Sequence, residues 1–177
     1  MDIKARLEAG QSKTSTTAIV NFIGNDKKRF NQLLDLFLKG DYRMTQRAAW
    51  PLSEAAIAHP ELISRHIELL IKKLQEPGQH PAIARNVLRI FQELDLPEAC
   101  HGGLTDICFK FITSEAQPVA IRAFAITVAA NICKHYAELA NELLLVLNDL
   151  SQYPQQPAVT SRIKSALKIL KPGHSKH

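Results

Sequence analysis

Residues 30–37 read FNQLLDLF. Phe30, Leu33, Leu34 and Phe37 stand at i, i+3, i+4 and i+7, the spacing that gathers apolar side chains on one face of an α-helix. The same seam returns 37 residues later as Ile67, Leu70, Ile71 and Leu74, and again after 37 as Leu104, Ile107, Cys108 and Phe111. A step of 39 then brings Leu143, Val146, Leu147 and Leu150. One helix type is laid down four times and buries the same face each time. No segment alternates apolar and polar residues with a period of two, so the chain reads as all-α.

A second helix type alternates with the first. Arg47, Arg85, Arg122 and Arg162 recur at steps of 38, 37 and 40. Pro81, Pro118 and Pro157 precede three of them at similar distances, as suits a first helical turn that has no use for the missing N–H. Apolar residues follow each arginine: Ala48 to Trp50, then Val87, Leu88 and Phe91, then Phe124, Ala125 and Val128, then Ile163, Ala166 and Leu167. Each repeat is therefore a first helix carrying the arginine, a turn, and a second helix carrying the seam. Pro60-Glu61 and Pro97-Glu98 open two of the second helices, with glutamate at the positive end of the helix dipole. The expected helices are 15–23, 26–39, 42–58, 60–75, 80–95, 97–113, 117–134, 136–151 and 157–171. Pro51 falls inside the third and should kink it, and Gly102-Gly103 should loosen the start of the sixth.

The pattern Pro-x-x-x-Arg, small and apolar residues, a loop and a leucine-rich helix resembles HEAT repeats and the wider armadillo-like group. A step of 37 to 40 residues fits that group and exceeds the tetratricopeptide period. The resemblance implies an α-α superhelix of about four HEAT-like helical hairpins over residues 14–171, with a ridge of first helices outside and second helices along a groove. Residues 1–13 are expected as an N-terminal arm or short helix, and 172–177 as a disordered tail.

Composition narrows the function. Of the 177 residues, 46% are hydrophobic and 22% charged, enough apolar side chain for a folded core. Three cysteines, Cys100, Cys108 and Cys133, are too few and too odd in number for a disulfide scaffold. They fit a reducing, cytoplasmic setting. The opening MDIKARLEAG has no apolar stretch to serve as a secretory leader, and no run approaches the length of a membrane span. The net charge of +5 is uneven: residues 77–153 carry −3, whereas residues 154–177 hold five basic side chains and no acid. An acidic middle is unlike a chain that grips a phosphate backbone along its whole length.

No phosphate loop, His-Glu-x-x-His or Gly-x-Ser-x-Gly motif is present, so a catalytic role is disfavoured and no cofactor is expected. Cys100-His101 and Cys133-x-His135 lack the spacing of a zinc site. Projecting the seam outward places Arg65, Lys72, Lys73 and Lys110 on the groove side of the second helices, with Glu68, Asp106 and Asp149 among them. Lys164, Lys168 and Lys171 form a basic stripe on the last helix. These seven residues are the expected contacts of a protein partner. The arginine ladder is expected to bond to carboxylates or loop carbonyls at repeat junctions, as its counterpart does in HEAT-like proteins. Trp50 aligns with Leu88 and Ala125 and reads as core or partial core. The alternative to a protein-binding module is nucleic-acid binding, since some HEAT-like proteins are DNA glycosylases for alkylated bases. In that group an aromatic and a carboxylate face the lesion. Trp50 is the sole tryptophan, and register alone gives it no acid.

Overall fold

The computed structural model describes residues 1–170. Those residues are α-helical and contain no strand. The expected tail 172–177, and Lys171 with it, lie outside the described residues. The chain divides into two compact units, one up to Asp95 and one from Leu96 onward.

In the first unit, α1 (Ile3–Glu8), α2 (Lys13–Ile23), α3 (Lys27–Lys39) and α4 (Tyr42–Ala58) each begin on a side-chain cap. Asp2, Ser12, Asp26 and Asp41 accept hydrogen bonds from backbone N–H groups that a helix start leaves without intrahelical partners. The stretch before position 13 thus holds a capped helix, Ile3–Glu8, that buries Ile3 and Leu7 against the unit. The turn between α3 and α4 requires glycine at position 40. A Cβ there would run into the Leu36 carbonyl and lie 2.7 Å from Met44 Cγ. Helix α4 runs through Pro51, which is itself buried, and packs against α2, α3 and α7 (Pro81–Phe91).

The helix expected over 60–75 is instead two pieces, α5 (Pro60–Ile63) and α6 (Ile67–Gln75), joined by a 3-10 turn at Ser64–His66. The tighter turn keeps Leu62 and Ile63 buried together with Ile67 and Leu70. Helix α7 opens on Pro81, and the His80 ring caps it by accepting from Ala82 N at 3.0 Å. It ends at Phe91, four residues short of the expected 95.

In the second unit, a 3-10 turn at Glu98–Cys100 leads into α8 (His101–Thr113), followed by α9 (Val119–Cys133), α10 (Ala137–Leu150) and α11 (Pro157–Leu170). Helix α8 starts at His101, four residues later than expected, and Gly102-Gly103 are helical and exposed. Neither glycine is crowded, so a side chain would fit at both. Helix α9 is the hub of this unit and packs on α8, α10 and α11. Ten of its residues are buried, all but Arg122 apolar, as suits a central helix.

The repeated seam lies in the core. Phe30, Leu33, Leu34 and Phe37 are fully or almost fully buried, as are Leu70, Leu104, Cys108, Leu143 and Leu147. Ile71, Leu74, Phe111, Val146 and Leu150 are half-buried, and no seam residue is exposed.

Candidate functional site

Two of the four ladder arginines are hydrogen-bonded into the fold. Arg47 donates from Nη1 to the carbonyls of Leu7 and Glu8 at 3.2 and 2.9 Å, at the C-terminal end of α1. Arg122, 9% exposed, donates from Nε to the Ile112 carbonyl at 3.1 Å, in the last turn of α8. Both satisfy carbonyls that a helix end leaves without partners, where a cation also meets the negative end of the dipole. The Arg162 guanidinium lies 6.0 Å from the Phe124 ring centre, and Arg85 is exposed.

Of the residues expected to meet a partner, Arg65, Lys72, Lys110, Lys164 and Lys168 are exposed. Lys73 is not, contrary to its expected outward position. Its side chain is buried, with Nζ 2.7 Å from Glu76 Oε2 and 3.4 Å from the Leu38 carbonyl. The reason is local: the last turn of α3 leaves the Leu38 carbonyl without an intrahelical donor, and the long lysine stem reaches it across apolar surface. Glu76 then balances the charge.

Trp50 is half-buried and has an acidic neighbour after all. Its Nε1 donates to Glu54 Oε1 at 3.0 Å, and Arg89 Nη1 of α7 reaches the same oxygen at 2.8 Å. Burial alone would raise the Glu54 pKa. The hydrogen bonds from Arg89 and Trp50, with the guanidinium charge, outweigh it and hold the carboxyl below its ordinary value. Deeper in, Ser53 Oγ sits 3.0 Å from both the Trp50 carbonyl and Asn86 Oδ1 and receives Arg89 Nη1 at 3.3 Å. Asn86 Nδ2 donates to the Ala82 carbonyl. This polar clamp joins α4 to α7. The indole and Glu54 also line a cavity of about 230 Å³ with Lys13, Thr16, Thr17 and Val20 of α2. The i, i+4 spacing of Trp50 and Glu54 was a legible signal for the pair, but Arg89 is 35 residues away and carries no local sign.

The second unit holds a cavity of about 260 Å³ between α8 and α10, lined by Thr105, Asp106, Phe109, Lys110, Leu139 and Glu142. Thr105 is 2% exposed, and its hydroxyl has no hydrogen-bond partner among the described residues. Near the start of α8, His101 Nε2 is 2.9 Å from the Leu96 carbonyl, and Nδ1 is 2.9 Å from the Tyr136 hydroxyl. The carbonyl can only accept, so Nε2 carries a proton. His135 stacks beside that ring at 6.3 Å. Burial first, then the nearby Glu98 charge and hydrogen bond, raises the Tyr136 pKa. Burial likewise pushes the Cys108 thiol far up and, with the Glu142 charge, Cys133 up to about 11. No group of three or more His, Cys, Asp and Glu among the described residues is placed to hold a metal ion. No helix there is long and apolar enough to cross a membrane.

Helical hairpins repeated at this step, with a shared buried seam, define an α-repeat protein. The family model for the HEAT repeat domain matches residues 3–170, and the chain belongs to that family. No curated protein and no solved structure gives a significant match.

Proposed function

We propose that this chain is a non-catalytic interaction module that binds a protein partner on the outward faces of its second helices, in the cytoplasm. The carrying observation is the division of labour on those helices. One face is consumed by the core, while Arg65, Lys72 and Lys110 remain exposed on the other. HEAT repeats commonly serve protein interactions, and each unit leaves such a face exposed. Lys164 and Lys168 of α11 extend the set. A photoreactive side chain introduced at Lys72 or Lys110 crosslinks a retained partner, and the same group at Arg85, on a first helix, does not. Crosslinking from Arg85 with none from the second-helix positions would remove this reading.

The indole and carboxylate at Trp50 and Glu54 support a second reading, nucleic-acid binding in the manner of the HEAT-like alkylation-repair glycosylases. Lys13 beside the same cavity adds one positive charge. Against it, both groups already serve the α4–α7 clamp. A salt titration of duplex DNA binding separates the two readings, because phosphate contacts impose a steep salt slope. The protein-binding reading expects no such slope.

A further inference from the structure

Helix α10 differs from the other second helices in what it leaves outside. Its buried positions are Leu143 and Leu147, and its exposed positions include Glu138, Glu142 and Asp149, with no Lys or Arg on the helix. Glu138, Glu142, Leu145 and Asp149 follow one another at steps of four, three and four, so they share a face. Leu145 stands in that acidic row with 74% of its surface in water, the most exposed large apolar side chain among the described residues. The row borders the cavity between α8 and α10, where Asp106 and Glu142 contribute two negative charges against the single positive charge of Lys110. Thr105 also lines that cavity; its hydroxyl is buried and has no hydrogen-bond partner among the described residues.

We infer that the α10 face and the adjoining cavity bind a basic, amphipathic segment of a partner protein. Lysine or arginine side chains of that segment pair with Glu138, Glu142 and Asp149, and an apolar side chain covers Leu145. Charge complementarity selects the occupant: an acidic row without a compensating base repels an acidic partner and a nucleic acid alike. This inference rests on the interaction-module reading and adds the chemistry of the partner.

The test uses the full chain and a fluorescein-labelled helical peptide of leucine and lysine, about four turns long. A second peptide with glutamate in place of lysine serves as control. The lysine peptide binds, the glutamate peptide does not, and binding weakens as salt is added. Glu138→Lys with Glu142→Lys lowers affinity about tenfold, and Leu145→Ala lowers it several-fold. Equal binding of the two peptides overturns the inference, as does indifference to the α10 substitutions. Sedimentation that shows α10 sequestered in contact between copies of this chain overturns it too. Should a partner crosslink from Lys72 but not from Leu145, the module reading stands and this inference falls.

Discussion

Helices α4 and α9 hold the same slot in the two units, yet they are fixed by different physics. Each is a first helix flanked by the helices before and after it. Helix α9 packs mostly with apolar area: Ile121, Ala125, Ile126, Val128, Ala129 and Ile132 are all essentially inaccessible, and Arg122 is its one buried charged side chain. Helix α4 carries an interior proline and buries two polar side chains, Thr45 and Ser53. It meets α7 through the Ser53, Asn86, Glu54, Trp50 and Arg89 clamp. Apolar contact is strong and tolerant of direction, whereas hydrogen bonds are weaker in net energy and demand one register. The repeat therefore keeps its architecture while trading packing strength for specificity from one unit to the next.

Three substitutions break that contrast in descending order. Ile126→Ala, in the middle of α9, removes methyl groups from a site with no exposed surface and should cost about 2–5 kcal/mol in denaturant unfolding. A loss well under that range would mean that α9 repacks around the gap. Asn86→Ala deletes the centre of the clamp and leaves Ser53 with one acceptor fewer, so about 1–3 kcal/mol is expected. The double variant with Ser53→Ala should lose less than the sum of the single variants, since the two side chains share one hydrogen bond. Additive losses would show that the clamp is not a unit.

Glu54→Gln should have the smallest effect, under about 1 kcal/mol at neutral pH, because the ion pair with Arg89 is about one-third exposed on both sides and is screened. Its signature is in the pH dependence. The folded-state pKa of Glu54 lies below its ordinary value of 4.5, so its stabilising contribution is complete above that value. It disappears as pH falls through the lowered folded pKa. Thermal unfolding from pH 6 down to pH 3 should therefore show a shallower acid loss in the glutamine variant than in the natural chain. Parallel curves would place the acid sensitivity elsewhere.

Much of this was legible along the chain because the signals are local. The seam positions repeat within two helical turns, and the step between seams is a count of residues, so helices, repeat and core residues followed from periodicity alone. The four N-caps were equally local, since Asp2, Ser12, Asp26 and Asp41 each stand just before a helix. They pass unnoticed when only proline and glycine are taken as boundaries. The helix ends at Phe91 and His101 differ from the expected ones, because a loop and a 3-10 turn replace the helical residues expected on either side of Pro97.

The sequence by itself determined that apolar faces would recur and zip helical hairpins together, because burial acts on every such face alike. Tertiary structure alone decided the fate of the charged groups. Lys73 turns inward to the Leu38 carbonyl, Arg47 closes the end of α1, and Arg89 meets Glu54, over separations of 35 to 40 residues. A charged side chain carries no periodic mark of its partner, and only the packed helices bring a donor within reach of the carbonyl or carboxylate that holds it.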